Sequence, residues 1–233
     1  MSPNVQIPGR PANYRPILLS TGVRSSARRT PNKVALAEGP REFTYTTLIE
    51  RFNRVAAAAI HDLGLKKGDH AALFSPNCIE FLEIVAGLAD AGVAPAMVPP
   101  SVTPPEVEHI CNDSGAKVLF VHESVEDVAR AAKLETVERI IVIGKDYDDW
   151  IAAAKPDTPN VPLEEWDAFC IPYTSGTTGR PKGVPRSVRA ERIAAASVIA
   201  HLRYRFGERL LGAMPMFHTM GIRILLCSTM ING

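Results

Sequence analysis

Short apolar segments alternate with amphipathic segments from residue 47 to residue 173, and this alternation restricts the fold more than any other feature. Apolar runs of roughly four to eight residues predict buried strands, whereas apolar residues at steps of three and four predict helices. The predicted strands are residues 70–74, 93–98, 117–121, 139–143 and 169–173. The predicted helices are residues 47–63, 124–132, a segment from 75–77 to Gly92, and a segment from Thr103 to Gly115. Strand–helix–strand units with short connections predict an α/β fold of layered, largely parallel sheets flanked by helices.

Several residues mark the ends of these segments. Thr47 and Glu50 have the spacing of a capping box, and Thr103 and Glu106 have the same spacing. The segment 34–45 lies before the first predicted helix. It is predicted to form a hairpin with a Gly-Pro turn. These signals predict where the elements begin and which residues lie in the loops between them.

The composition is that of an ordinary globular protein. The chain has 233 residues, of which 46% are hydrophobic and 22% are charged, so general disorder is excluded. Its 26 basic and 25 acidic residues lack the basic excess that a nucleic-acid-binding protein shows. Eight of the basic residues lie between Arg180 and Arg209, and this basic stretch either faces an anion or is solvated surface.

The cysteines, the N-terminus and the longest apolar run argue against three further classes of protein. Cys78, Cys111, Cys170 and Cys227 form no C-x-x-C pair, so we predict no structural zinc site. The N-terminus lacks the apolar core of a signal peptide, and we therefore expect a cytoplasmic protein with reduced thiols. The apolar run 84–98 is interrupted by charge, glycine and proline, so no membrane span is predicted.

A loop of unusual composition follows the predicted strand 169–173, at the edge where a parallel sheet binds its ligands. The segment 174–183 reads Thr-Ser-Gly-Thr-Thr-Gly-Arg-Pro-Lys-Gly and holds four hydroxyls, three glycines and two cations. Glycines let backbone N–H groups approach a ligand, hydroxyls add hydrogen-bond donors, and lysine places a compact charge against phosphate oxygens. The loop is therefore predicted to bind a polyphosphate.

The spacing within this loop excludes two other kinds of phosphate-binding loop. A Walker loop requires G-x-x-x-x-G-K-[ST], but Arg180 and Pro181 separate Gly179 from Lys182. Gly183 also stands where the magnesium-binding hydroxyl of a Walker loop would be. The G-x-G-x-x-G pattern of a kinase glycine-rich loop is absent as well.

Residues 173–184, Tyr-Thr-Ser-Gly-Thr-Thr-Gly-Arg-Pro-Lys-Gly-Val, closely resemble the phosphate-loop signature of the adenylate-forming superfamily, which includes acyl-CoA synthetases, peptide-synthetase adenylation domains and luciferases. Residues 65–69, 75–77 and 87–99 resemble the early strand–helix–strand core of that superfamily. The segment 215–218, Pro-Met-Phe-His, is similar to its P-x-F-H segment. The resemblance extends over about residues 20–233, essentially the whole chain.

The resemblance implies a two-step reaction in which a carboxylate is activated by ATP and then transferred to a thiol, commonly that of coenzyme A. It implies that Lys182 is the electrostatic partner of the triphosphate, that Mg²⁺ accompanies the phosphates, and that His218 lies near the α-phosphate and the acyl group. The positions that would wrap the β- and γ-phosphates are Thr174, Ser175, Gly176, Thr177, Thr178 and Gly179. No protein ligand of a metal is predicted.

The chain departs from the superfamily pattern shortly after the loop. Many members carry a Thr-His pair there, whereas this chain has Arg-Ser-Val-Arg at residues 186–189. The candidates for the acyl pocket are His218, Met216, Phe217 and Met220, and the remainder of that pocket is expected from residues beyond this chain. The sequence therefore does not predict which acid is activated.

Members of the superfamily are considerably longer than this chain. We expect residues 1–233 to be the N-terminal portion of a large AMP-binding domain, with the C-terminal domain absent. This portion is divided into an N-terminal segment 1–30, a first α/β part 31–160 and a truncated phosphate-loop part 161–233. The apolar segment 222–230 is expected to lack packing partners, which would make the isolated chain prone to aggregation.

Three functions fit these features. The leading prediction is an AMP-forming acyl-CoA synthetase whose partners are a small carboxylate and coenzyme A. The alternatives are an adenylation domain that loads an amino or aryl acid onto a carrier protein, and a non-catalytic remnant that only binds a nucleotide. The sequence leaves homo-oligomerisation open.

Overall fold

A computed structural model describes residues 16–157, 159–174 and 180–232. The helices are α1 (Thr21–Arg29), α2 (Tyr45–His61), α3 (Ile79–Asp90), α4 (Pro104–Ser114), α5 (Glu126–Arg130), α6 (Tyr147–Ala152), α7 (Val188–Leu202) and α8 (Thr219–Asn232). The strands are β1 (Val34–Glu38), β2 (Arg41–Thr44), β3 (His70–Phe74), β4 (Ala94–Val98), β5 (Ala116–His122), β6 (Arg139–Ile143), β7 (Ala168–Thr174), β8 (Lys182–Gly183) and β9 (Arg186–Ser187).

The main sheet has seven strands and is largely parallel. Its order is β6-β5-β3-β4-β7-β8, with β9 also paired to β7. The first five strands in this order run parallel, and only the two-residue strands β8 and β9 are antiparallel to β7. The predicted α/β fold class is confirmed. Because β3, β4 and β7 are parallel neighbours, the loops at their carboxyl ends lie along one edge of the sheet.

Helices cover both faces of this sheet, because side chains alternate between the faces along each strand. Leu73 and Phe120 belong to a buried cluster that includes residues of α1, α2, α3 and α6. Their chain neighbours Phe74 and Leu119 belong to a second buried cluster that includes residues of α4 and α5. The continuous apolar runs of the sequence are thus explained by strands that are buried on both faces.

The predicted boundaries agree with the structure where the sequence signals are local. The predicted strands 70–74 and 139–143 coincide with β3 and β6, and residues 34–45 contain the antiparallel pair β1 and β2. The capping box at α4 is confirmed, since the Glu106 carboxylate accepts the Thr103 backbone N–H at 2.8 Å. The capping box predicted at Thr47 is wrong, because α2 begins two residues earlier and Thr44 accepts the Thr47 N–H at 3.2 Å.

The apolar segment 222–230 lies within α8, which packs against α7. Its Ile222, Leu226 and Cys227 side chains are buried in the first core cluster. For these residues, the prediction that the segment lacks packing partners is wrong. Among the described residues, the most exposed large apolar side chains are those of Phe206 and Leu211, which lie before α8.

Two structural findings concern membrane-spanning helices and the state of the cysteines. Among the helices of the described residues, none has both the length and the hydropathy that a membrane crossing requires. Cys78, Cys111, Cys170 and Cys227 are all buried free thiols.

Candidate active site

The ends of the predicted phosphate loop are held together by a short antiparallel pair. Thr174, the last residue of β7, is opposite Lys182, the first residue of β8, and Tyr173 is opposite Gly183. The predicted site residues Ser175, Gly176, Thr177, Thr178 and Gly179 lie between these ends and outside the described residues. Thr174 and Lys182 therefore come together at the carboxyl edge of the sheet, as a loop after β7 requires.

Lys182 is exposed at this edge, and its ammonium forms no ion pair with any described residue. Two other cations of the basic stretch are neutralised by carboxylates. Arg186 binds the carboxylate of Glu191, and Arg189 binds that of Glu165 at 2.8 Å. An unneutralised cation beside exposed backbone favours an anionic ligand at Lys182.

Gly183 is required by packing rather than by backbone conformation. A Cβ atom at this position would lie 2.9 Å from Ile171 Cγ2 and 3.0 Å from Tyr173 Cζ, closer than normal contacts allow. The tyrosine ring thus occupies the space beside the glycine. This contact explains why glycine, and not a hydroxyl residue, follows Lys182.

Glu191 joins three elements around a buried carboxylate. It accepts hydrogen bonds from Arg186 Nε of β9 at 2.7 Å and from Arg223 Nε of α8 at 3.2 Å. Its side chain is 1% exposed, whereas those of the two arginines are 29% and 21% exposed. Arg186 belongs to the segment 186–189, in which the sequence departs from the superfamily pattern, and its charge here stabilises the packing of α7 and α8.

The segment that carries His218 is held by a residue from the loop after β3. The Asn77 amide donates to the Met214 carbonyl at 2.9 Å, and its oxygen accepts the Met216 N–H at 2.8 Å. Asn77 follows the carboxyl end of β3, so it fixes the 214–218 segment at the same sheet edge as Thr174. The His218 side chain is exposed and forms no hydrogen bond with the described part of the chain.

Gly221 brings the first turn of α8 against the segment that precedes His218. A Cβ atom at Gly221 would lie 2.6 Å from the Pro215 carbonyl carbon and 2.8 Å from Met216 Cα. The backbone N–H of Gly221 donates to the His218 carbonyl at 3.0 Å. Glycine at this position therefore sets the direction in which α8 leaves the His218 turn.

The family is decided by a comparison that covers most of the chain. A family model described as AMP-binding enzyme matches residues 23–233, which include both loop stems and the His218 segment. The chain belongs to the AMP-binding enzyme family. The family predicted from residues 173–184 is thereby confirmed.

Two curated relatives and one solved structure resemble this AMP-binding enzyme chain. Long-chain-fatty-acid–CoA ligase FadD13 of Mycobacterium tuberculosis is 32% identical over 219 residues, covering 89% of this chain and 42% of the relative. Fatty acid–[acyl-carrier-protein] ligase ScoC of Streptomyces coeruleorubidus is 33% identical over 207 residues, covering 84% and 38%. The inhibitor-bound N-terminal domain of FACL13 from Mycobacterium tuberculosis matches with a TM-score of 0.84 at 32% identity, covering 91% of this chain and 55% of that one. The chain thus spans about two fifths of the length of these curated relatives.

A largely apolar cavity of about 530 Å³ adjoins the His218 segment of this AMP-binding enzyme chain. Its lining residues include Leu19, Val23, Phe52, Phe81, Met216 and Ile222. Of the residues predicted for an acyl pocket, Met216 lines this cavity, whereas Met220 is exposed. The structure therefore adds apolar lining from α1, α2 and α3, which the sequence did not connect with His218.

Sequence reasoning missed Asn77, His109 and Glu191. Asn77 lies at a predicted helix start, but its side chain binds the backbone of Met214 and Met216, which are 137 and 139 residues away along the chain. His109 Nε2 lies 2.8 Å from the Pro181 carbonyl, 72 residues along the chain. These contacts are not part of any repeating pattern of residues along the chain, so a single sequence does not indicate them.

Proposed function

We propose that this chain carries the phosphate-binding part of an AMP-forming acyl-CoA ligase. The single observation that carries the proposal is the exposed Lys182 ammonium, paired across β7 and β8 with Thr174 and lacking an ion-pair partner among the described residues. In a parallel sheet this edge is where nucleotides bind. Membership in the AMP-binding enzyme family supports ATP as that nucleotide.

In the first step a carboxylate oxygen of the substrate attacks the α-phosphorus of ATP. The bond from that phosphorus to the bridging oxygen breaks, and pyrophosphate leaves with the bonding electrons. A carboxylate is already an adequate nucleophile, so the protein mainly has to position two anions and stabilise the charge that develops on pyrophosphate. In the second step the thiolate of coenzyme A attacks the acyl carbon, the bond from that carbon to the phosphate oxygen breaks, and AMP leaves with the bonding electrons.

We assign Lys182 and the loop residues to the leaving group. Lys182 would bind the pyrophosphate oxygens as a point charge. The hydroxyls and backbone N–H groups proposed to wrap the β- and γ-phosphates belong to Thr174, Ser175, Gly176, Thr177, Thr178 and Gly179. His218 would donate to the α-phosphate or the acyl oxygen, which its exposed imidazole at the same sheet edge permits.

Mg²⁺ would enter with the triphosphate. Within the described ranges there is no group of three or more histidine, cysteine, aspartate or glutamate side chains that could hold a metal ion. These residues thus provide no preformed metal site, and none of them is assigned to the metal. We place the enzyme in the cytoplasm, because its four cysteines are free and buried, as a reducing compartment permits.

We propose a long aliphatic acid as the substrate. Most residues that line the cavity beside Met216 are apolar, although Lys33, Glu38, Glu208 and Arg209 also line it, and its space of about 530 Å³ suits an alkyl chain. FadD13 is named as a long-chain-fatty-acid–CoA ligase, and ScoC as a fatty-acid ligase that acts on an acyl carrier protein. The name of ScoC favours one alternative acceptor, a carrier-protein thiol in place of coenzyme A.

We further propose that residues 1–233 form the N-terminal portion of the enzyme, with 31–160 and 161–233 as its two α/β parts. Support comes from the share of the curated relatives that the chain covers, 42% and 38%. The two parts share one sheet, because β7 pairs with β4.

The test is ATP-dependent pyrophosphate release by the protein that contains this chain, with straight-chain fatty acids, aryl acids and amino acids as substrates. We expect release with the longer fatty acids, and a loss of about 100-fold or more in kcat/KM for Lys182→Met. Lys66→Met is the matched control, because Lys66 is exposed at the opposite end of β3. Nucleotide binding without turnover on any acid would instead support the non-catalytic alternative, and equal rates for the two variants would refute the assignment of Lys182.

A further inference from the structure

We infer that α4 acts as a clamp on both stems of the phosphate loop, with His109 and Asp113 as positioning residues for Lys182. The inference rests on the proposed function only for the identity of the ligand. The clamp itself is defined by contacts among described residues. It adds two residues that lie outside the loop and far from it in sequence.

The first contact holds the stem after the loop. His109 Nε2 lies 2.8 Å from the Pro181 carbonyl oxygen, and because a carbonyl only accepts, the imidazole donates. This carbonyl belongs to the peptide bond that joins Pro181 to Lys182. The hydrogen bond therefore fixes the peptide plane at the start of the lysine.

The second contact holds the stem before the loop. The Tyr173 hydroxyl donates to Asp113 Oδ2 at 2.7 Å. Burial and the adjacent Asp113 carboxylate raise the pKa of Tyr173, so the phenol stays protonated and remains a donor. Tyr173 directly precedes Thr174, so this bond fixes the other side of the Thr174–Lys182 pair.

The two contacts form one unit. His109 and Asp113 are four residues apart on α4, so their side chains lie on the same face of the helix. The His109 and Tyr173 rings meet edge to face, with centroids 6.5 Å apart and an interplanar angle of 88°. On its other side the Tyr173 ring fills the space beside Gly183. The half-buried ring thus lies between α4 and β8.

The helix that supplies the clamp is itself well anchored. Val107 and Ile110 are buried in the second core cluster, and Glu106 caps the first turn. The strand β8, in contrast, has only two residues, so its ladder provides few hydrogen bonds of its own. The position of Lys182 therefore depends on α4 as well as on the ladder.

The test measures pyrophosphate release by the protein that contains this chain, at varied ATP and varied carboxylate. For His109→Ala we expect KM for ATP to rise about fivefold to tenfold, the equivalent of one hydrogen bond, with KM for the carboxylate changed less than about twofold. His109→Gln should restore most of the ATP affinity, because its amide can donate to the same carbonyl. Tyr173→Phe, which removes only the hydroxyl, should give the same pattern if His109→Ala does not fold. The matched control is His122→Ala, because His122 binds Ser124 and not the loop stems.

A second measurement does not depend on activity. Hydrogen–deuterium exchange of the amides at 182–184 should be about fivefold faster in His109→Ala than in wild type, and unchanged in His122→Ala. Faster exchange in a protein that releases no pyrophosphate would support the clamp while refuting the proposed function. Unchanged exchange, or KM values for ATP and carboxylate that rise together, would overturn the clamp.

Discussion

Replacing Glu191 by alanine tests whether one buried carboxylate holds α7, β9 and α8 together. The substitution leaves Arg186 and Arg223 without their shared acceptor. Removing one partner of a buried ion pair destabilises a protein by about 3–5 kcal/mol. The arginine side chains are 29% and 21% exposed, so water solvates part of the released charge, and we take the lower end, about 3 kcal/mol.

The assay is urea unfolding at pH 7, followed by tryptophan fluorescence. We expect the free energy of unfolding to fall by about 3 kcal/mol, which corresponds to a melting temperature lower by about 6–12 °C for a chain of this size. Glu135→Ala is the control, because its ion pair with Lys133 is exposed to solvent, and it should leave the free energy of unfolding unchanged within experimental error.

A double-mutant cycle with Arg223→Ala identifies the cause of the loss. If the carboxylate acts through Arg223, the double variant should be more stable than the sum of the single effects by about 1–2 kcal/mol. Strict additivity, or a loss below about 1 kcal/mol for Glu191→Ala, would refute the reasoning. Either result would mean that the buried carboxylate does not stabilise the packing of α8 through Arg223.

Three further predictions concern other contacts. Burial of Glu80 opposes ionisation, but the hydrogen bonds and the charge of Arg41, together with a backbone N–H hydrogen bond, outweigh it and lower the pKa from 4.5. The stabilisation is therefore present above pH 4.5 and lost as the pH falls through the folded-state pKa, so the stability gap between wild type and Glu80→Gln should narrow below pH 4.5. A constant gap in urea titrations from pH 7 to pH 3 would contradict this. Gly221→Ala should destabilise the chain by about 2 kcal/mol in thermal melts, whereas Gly212→Ala, with open space around it, should be neutral. Thr44→Ala should lower the free energy of unfolding by about 1 kcal/mol, and no change would show that the cap of α2 lies elsewhere.

The sequence predicted those parts of the fold that depend on local signals. The strands β3 and β6 coincide with their apolar runs, because a strand buried on both faces needs an uninterrupted apolar segment. The capping box at Thr103 is equally local, since its two partners are three residues apart. The cap of α2 was misplaced because Thr44 and Thr47 both offer hydroxyls, and only the backbone decides which one lies outside the helix.

For the candidate site, the sequence predicted the chemistry, and only the tertiary structure decided which residues hold the site in place. Lysine, hydroxyls and glycines in 174–183 point to phosphate binding on their own, because these groups and their spacing are properties of a short segment. That His109 binds next to Lys182, that Asn77 holds the His218 segment, and that Glu191 neutralises Arg186 were decided only when the chain folded. Each of the first two contacts joins residues at least 72 positions apart, and the third depends on how α7 packs against β9 and α8. The identity of a polar residue does not indicate which distant residue will form its hydrogen bond. That partner depends on how the sheet and its helices pack together.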